Sequence, residues 1–383
     1  MFSLPASQAT PPAAERAQPL ALAGALAATA ALAAAVSQHG ARLPVLLALG
    51  VLLGATLYLS SFGFASAYRR FLEAGEVSGM RAQLLMLGAG TVLFAPVLAQ
   101  GHWFGREIAG AVAPAGLQVA AGAFLFGVGM QFAGGCGSGT LYAAGGGQLR
   151  MLLTLAAFCA GSFWASLHME FWGALPALEP VSLGERLGWP AAVVLQIGML
   201  VALDAVLSRR KRDRSGWQLH WPLAAGALAL AVLNLLTLIV AGHPWSITWA
   251  FTLWGAKGAQ LFGWEPAGSA FWSSGFQREA LEASVFADVT SVMDFGLVLG
   301  AFAAAGFAGG FRLRYRISAR AALTALAGGL AMGYGARIAY GCNIGAFFSG
   351  IASTSLHGWL WIAAALPGSW LGLRLLRRHG ASW

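Results

Sequence analysis

Phe132-Ala133-Gly134-Gly135-Cys136-Gly137-Ser138-Gly139-Thr140-Leu141-Tyr142-Ala143-Ala144-Gly145-Gly146-Gly147 lies between two apolar runs and holds seven glycines. It is too apolar for an ordinary surface loop. It is also too rich in glycine for a helix, since each glycine costs about 1 kcal/mol against alanine in a helix interior. Glycine has no Cβ, so the backbone can turn freely or approach a ligand closely. One thiol and two hydroxyls sit in the middle. The stretch reads either as a backbone-lined pocket with Cys136 at its tip, or as a tight helix break around a small buried cysteine.

The stretch recurs 206 residues further on. Ala121, Gly122, Gly127, Gly129, Ala133, Gly135, Cys136 and Gly139 match Ala327, Gly328, Gly333, Gly335, Ala339, Gly341, Cys342 and Gly345, eight identities in nineteen positions. Gly161-Ser162 then matches Gly368-Ser369 after one extra residue. The chain therefore reads as two halves, each with one Gly-Cys break. Paired interrupted segments at corresponding places in two halves point to a transport site.

Of the 383 residues, 58% are hydrophobic and 10% charged, which leaves too few charges to cover a soluble fold of this size. Such long apolar runs place the chain in a lipid bilayer. The formal charge of +9 is not a nucleic-acid signal. Most basic residues fall in short clusters between apolar runs, as membrane topology requires. The three cysteines form no CxxC and have no zinc-like spacing with histidine, so no metal or other cofactor is expected. Cys159 has no motif around it and reads as a packing residue.

Residues 1–19 read as a disordered cytoplasmic tail, and residues 20–36 as a retained first span followed by a loop to residue 42. Further spans are expected at residues 43–62, 82–99, 117–133, 151–167, 189–207, 222–241, 295–311, 321–340 and 358–376, making ten in all. The fold class is thus an all-α polytopic membrane protein with about ten spanning helices plus re-entrant segments. Residues 43–208 and 222–383 form its two repeats, joined by a basic linker at 209–221.

With a cytoplasmic N-terminus and alternating spans, 17 of the 23 Lys and Arg fall inside. That agrees with the positive-inside rule. It requires residues 247–294 to begin and end on the outer side, as re-entrant or interfacial helices. Trp245, Trp249, Trp254, Trp264 and Trp272 are expected at the headgroup boundary there, and Lys257 at a headgroup or a cavity mouth. The span before Cys136 then runs inward and the span before Cys342 outward. The two breaks would enter from opposite faces and meet near the middle, as an inverted repeat.

Irregular backbone at membrane depth survives only where protein buries it or a cavity borders it. Helix N-termini after each break offer free N–H groups and a positive dipole end to an anion. Gly135, Ser138, Gly139, Thr140, Gly341, Asn343 and Gly345 make up the candidate site around Cys136 and Cys342. No carboxylate is expected mid-span, because Asp204 and Asp294 fall at span ends. Neutral donors and soft thiols suit a small polarizable anion. The competing reading gives the glycines only to close helix packing. Arg337 is either a side chain snorkelling from the end of its span or an attractor for the anion. His357 is expected to cap or flank the following helix.

Gly134-Gly135-Cys136-Gly137-Ser138-Gly139-Thr140-Leu141-Tyr142 and Gly341-Cys342-Asn343-Ile344-Gly345, with His357-Gly358-Trp359 behind, resemble the two signatures of the YeeE/YedE sulphur-transport family. The resemblance covers roughly residues 45–378. It implies thiosulfate uptake across the bacterial inner membrane by an hourglass-like inverted repeat. It also implies that Cys136 and Cys342 pass the anion along by S–H···S hydrogen bonds without covalent chemistry. A TusA-like cytoplasmic sulfur-carrier protein is an implied partner. Two departures stand out. Ala65 occupies the place of an outer-segment cysteine, in Gly63-Phe64-Ala65. Tyr340 replaces the first glycine of the second motif.

The leading function is transport of thiosulfate or a related small sulfur anion. The alternatives are a membrane-embedded thiol enzyme of sulfur metabolism and a neutral-solute channel of paired half-helices. The charge pattern makes a topological prediction. Reporter fusions should place Arg209, Arg212 and the C-terminus on the cytoplasmic side and residues 170–185 outside. A reporter that puts Arg312 to Arg320 outside would contradict the inverted arrangement.

Overall fold

The structure is a computed structural model that describes residues 17–209 and 220–378. The expected tail lies outside the described residues except for its last three positions, as does the linker between 210 and 219. Helices α1 (Pro19–Ser37), α2 (Leu43–Ser60), α3 (Phe64–Ala74) and α4 (Ser78–Gln100) come first. Next are α5 (Leu117–Ala133), α6 (Gly137–Gly145), α7 (Arg150–Ser166), α8 (Met169–Gly173), α9 (Leu183–Leu187) and α10 (Trp189–Arg209). The second half holds α11 (Trp221–Ala241), α12 (Thr248–Leu261), α13 (Gly275–Glu282), α14 (Val289–Phe307), α15 (Ala319–Ile338), α16 (Ser349–Ala352) and α17 (Leu356–Arg378). Strand pairing is confined to two small antiparallel ladders, β1 (His102–Trp103) with β2 (Arg106–Glu107) and β3 (Ala115–Gly116) with β4 (Ala177–Leu178).

The chain is all-helical and multi-pass. Among the described residues, eight helical stretches are long and apolar enough to cross a bilayer, against the ten expected. The eight include α2 with α3 as one stretch and α5 with α6 as another. The two that fall short have physical reasons. Helix α7 has only 17 residues. Helix α15 is diluted by glycine and carries Arg320 and Arg337. Both are nonetheless central to the packing.

That packing is made by small residues. Gly50 and Gly54 of α2 face Met293 and Leu297 of α14, and Gly296 and Gly300 of α14 face Leu47 and Val51 in return. A Cβ at any of these four glycines would meet backbone of the partner helix. Helix α5 is wedged in the same way between α15 and α17. Gly122 and Gly129 lie on the backbone of Gly335 and Gly328, while Gly127 lies on Ala365 and Ser369. Helix α15 also presses Gly329 and Gly333 onto Thr154 and Phe158 of α7. Lipid tails are as apolar as leucine, so such close van der Waals approach holds the helices together. The packing role considered for the glycines is real for these helix faces.

Helix α1 is peripheral, with only Ala25 and Val36 buried, and lies against α14 and α2. Helix α10 is tied to α4 by an ion pair between Arg81 and Asp204 at 2.9 Å. Two of the five tryptophans expected at the headgroup boundary are enclosed by protein. Trp245 and Trp272 are buried in protein, and Trp272 donates to Ser166 Oγ at 2.8 Å. Trp254 stacks on Phe295 and donates to Ser291 Oγ. Lys257 Nζ donates to the carbonyls of Leu281 and Ala283, both at 2.7 Å, so it caps the end of α13.

The α2–α14 seam sets a test. A Gly300→Val side chain would have to push the Val51 backbone away, and overpacking typically costs about 1–3 kcal/mol. Thermal unfolding in detergent should show a lowered midpoint for Gly300→Val. Gly258→Ala, whose added Cβ meets nothing within 4 Å, should leave the midpoint unchanged.

Candidate functional site

Helix α5 ends at Gly134, which adopts a left-handed conformation with φ of 80° and donates its N–H to Met130 O at 3.0 Å. The chain then runs extended through Cys136, at φ −90° and ψ −168°, directly before α6. The second break repeats the left-handed residue and the extended cysteine, but not the glycine between them. Tyr340, aligned with Gly134, is left-handed at φ 59°, and Gly341 follows at φ 149°. Cys342 is extended at φ −97° and ψ −164°. A left-handed bulky residue is uncommon and strained. Tyr340 thus takes the left-handed place of Gly134, while the turn closes through Gly341 N–H to Ala336 O at 2.9 Å rather than through the left-handed residue itself.

Each cysteine is the N-cap of the helical segment after it. The amides of Ser138 and Gly139 face the Cys136 thiol, and those of Ile344 and Gly345 face the Cys342 thiol, at the same offsets. The two segments differ in winding. Residues 137–145 are α-helical, whereas Asn343–Phe348 is a π-helical turn that continues into α16. π-turns inside helices are rare and concentrate at functional places.

The two breaks meet. A Cβ built on Gly137 would lie 3.3 Å from Cys342 Sγ, and Gly137 is also beside Ile247. Both thiols are buried, at 1% and 0% exposure, and both are free. Cys136 Sγ lies 3.4 Å from Ser138 Oγ. Thr140 donates to Cys136 O at 2.9 Å, so its hydroxyl stabilises the first turn of α6. Asn343 donates to Tyr68 Oη at 3.0 Å, while its own Oδ1 is buried with no partner among the described residues. Trp361 donates to Gly341 O at 3.2 Å.

Several supporting residues escaped the sequence reading. Arg69 donates to Gln131 O and Arg150 to Phe132 O, each at 3.1 Å. Both cations therefore satisfy carbonyls at the C-terminal end of α5, where a positive charge also suits the helix dipole. In the second half, Trp245 N donates to Asn234 Oδ1 at 2.7 Å, Asn234 donates to Ser349 Oγ, and Ser349 donates to Trp245 O. This ring of bonds holds α16 against α11. His357 is inside the first turn of α17 and pairs through Nδ1 with Ser355 Oγ at 2.7 Å.

Arg337 borders a cavity of about 290 Å³ together with Ser246, Thr248, Thr252, Gln277 and Gly341. Its guanidinium carbon lies 5.1 Å from the Phe271 ring centre, and its Nε is buried without a hydrogen-bond partner. The cavity thus joins one cation, the hydroxyl-bearing Ser246, Thr248, Thr252 and Tyr340, and the glycine that precedes Cys342. Ala65 is elsewhere. It is buried at the start of α3, and its carbonyl accepts from Gln131 Nε2 at 3.4 Å, next to the first break. Cys159 lies in α7, where its carbonyl packs against Gly255.

One expectation is overturned. Asp294 is not at a span end. Helix α14 begins at Val289, capped by Asp288, whose side chain accepts from Ser291 N at 2.7 Å. That start is six residues earlier than hydropathy indicated. Asp294 is therefore well inside the helix, at 0% exposure, with both carboxylate oxygens unpartnered among the described residues.

A multi-pass helical protein with two interrupted segments, each capped by a buried thiol, defines a class of membrane protein rather than a soluble enzyme scaffold. The sulphur transport family matches residues 59–371, and the chain belongs to that family. Relatives include a protein named as a probable transporter, YedE, of Salmonella typhimurium, at 36% identity over 154 residues. That match covers 40% of this chain and 37% of YedE, so the chain matches little more than a third of the length of this relative. The thiosulfate transporter TsuA of Spirochaeta thermophila is 29% identical over 281 residues, covering 67% of this chain and 77% of TsuA. TsuA of Escherichia coli is 25% identical over 267 residues, covering 65% of this chain and 71% of that protein.

Proposed function

We propose that the chain transports thiosulfate or a closely related small sulfur anion across the bacterial inner membrane, with Cys136 and Cys342 at the narrowest point of its path. The observation that carries this reading is the meeting of two N-caps with matching backbone angles, each with a thiol at its tip. Two segment N-termini directed at one place favour negative charge there. The thiols add soft donors for a polarizable sulfur. Gly135, Ser138, Gly139, Thr140, Gly341, Asn343 and Gly345 shape the two turns. The name of the TsuA relatives supports thiosulfate as the substrate.

The architecture we infer is an inverted repeat, residues 43–208 against 222–383, with each break re-entrant. The helix pairing supports it. Helix α5 packs on α17 as α15 packs on α7, and α4 packs on α11 as α14 packs on α2. Such a repeat gives alternating access to one central site. Both termini are cytoplasmic in this arrangement. The Arg337 cavity then opens on the outer side and captures the anion before the thiols. Ala65 falls on the cytoplasmic side, beside the first break, so no outer thiol precedes the pair.

The thiols provide the test. A hydrogen bond to a charged group contributes about 1.5–3 kcal/mol, and about 1.4 kcal/mol is one decade in affinity. Cys136→Ser and Cys342→Ser should each lower uptake of radiolabelled thiosulfate by about tenfold or more, with membrane insertion intact. Gly137→Ala should also slow uptake, because its methyl group would sit against the Cys342 thiol. Cys159→Ala should change little. Normal rates in both serine variants would reduce the cysteines to packing residues.

A further inference from the structure

Asp294 takes no part in the site described above, yet a buried carboxyl group without a partner needs a reason. An intramembrane ionisable residue is costly and marks an ion pathway by default. Its position is also not isolated. Asp294 is the sixth residue of α14, and Gln83 is the sixth residue of α4, the corresponding helix of the other half. Gln83 is 2% exposed, and both polar atoms of its amide are buried without a partner among the described residues. Seven residues further along, Ala301 and Gly90 each pack against the segment that follows a break, Ala301 on Gly145 and Gly90 on Phe348 and Ala352. The two halves thus hold a polar side chain at the same place. One is permanently neutral and the other can carry a proton.

We propose that Asp294 is the proton-carrying residue of this protein, so that anion uptake is coupled to proton entry on the second half only. The proposal rests on the transport reading above.

The surroundings favour a proton over a metal cation. Neither carboxylate oxygen has a hydrogen-bond partner among the described residues, and no group of three or more His, Cys, Asp and Glu that could hold a metal ion occurs among them. A proton needs a single oxygen. An ionised carboxylate left unpaired in these apolar surroundings is expensive, so the closed site keeps the group protonated and it gives the proton up only where the site opens to water without the anion. The titratable groups near it supply no compensating cation. Helix α2 brings Tyr58, α6 brings Tyr142, and α1 brings none. Helix α12 brings Lys257, whose ammonium is taken by two carbonyls of the α13 end. Cys159, Cys342 and Asp288 lie within electrostatic reach.

That reach includes the cysteine at the second break. A thiosulfate dianion arriving at Cys342 raises the negative potential at Asp294 and tightens its hold on the proton. Opening to the cytoplasm and losing the anion relaxes that hold. One proton moved with each anion cancels part of the negative charge that an inside-negative membrane potential repels.

The purified protein reconstituted in proteoliposomes with a trapped pH dye, at zero membrane potential, tests this. Wild type should exchange radiolabelled for internal thiosulfate, and external thiosulfate should acidify the lumen. Asp294→Asn should keep the exchange and lose the thiosulfate-dependent acidification. Asp294→Glu, which keeps the carboxyl group, should retain both and guards against a variant that does not fold. Exchange without acidification in wild type, acidification that survives Asp294→Asn, or uptake driven by a sodium gradient would overturn the proposal while leaving the transport reading intact. Absence of exchange in wild type would overturn both.

Discussion

The close backbone contact between α5 and α15 is the interaction on which the rest depends. Gly129 lies against Gly328, and Gly122 against Gly335, without intervening side chains. The two helices cross antiparallel, so the break after each is presented to the neighbours of the other. Helices α17 and α7 close on the outer flanks through glycines of the same kind. A side chain at these positions would part the pair and expose interrupted backbone. In hydrocarbon each unsatisfied peptide group costs several kcal/mol. The glycines therefore do more than allow turns at the breaks. They also build the wall that makes breaks tolerable.

Within that wall the two halves are alike in backbone and unlike in chemistry. Both cysteines cap a helical segment with nearly the same angles. The first break is held from the end of α5 by Arg69 and Arg150. The second is held by neutral groups, Asn234, Trp245 and Ser349, and its segment begins as a π-turn. Tyr340 in a left-handed conformation stores strain beside Cys342, and strain of this kind collects at functional places. The cation that accompanies the second break, Arg337, borders a cavity, and its Nε has no hydrogen-bond partner among the described residues. Charge on one side thus secures backbone carbonyls, and charge on the other borders a cavity over the Phe271 ring.

Much of this was legible in the sequence, because glycine and cysteine spacing survives where side-chain patterning is uninformative. Hydropathy located every long helix, since a span needs about twenty apolar residues whatever surrounds it. It failed at boundaries. Residues 288–294 read as the end of the outer re-entrant or interfacial segment, although Asp288 is an N-cap that starts the helix before its more apolar part. Asp at that position three residues before Ser291 was the available signal. The tryptophans misled for a related reason. An aromatic near a span end suits the headgroup region, but Trp245 and Trp272 are enclosed by protein. Nothing local in the sequence distinguishes the two settings. The partners of Asn234 and Lys257 were invisible because they come from distant parts of the chain.

The central claim is that a small sulfur anion passes intact between two thiols that meet at the N-caps of opposed segments. Thiosulfate labelled separately at its two sulfur atoms, offered to purified protein in proteoliposomes, tests this most directly. Saturable accumulation of both labels in equal amounts, recovered from the lumen as thiosulfate, is the predicted result. Separation of the labels into sulfite and a protein-bound or reduced sulfur would mean that the thiols break the S–S bond. Non-saturating passage of both labels would make the protein a pore.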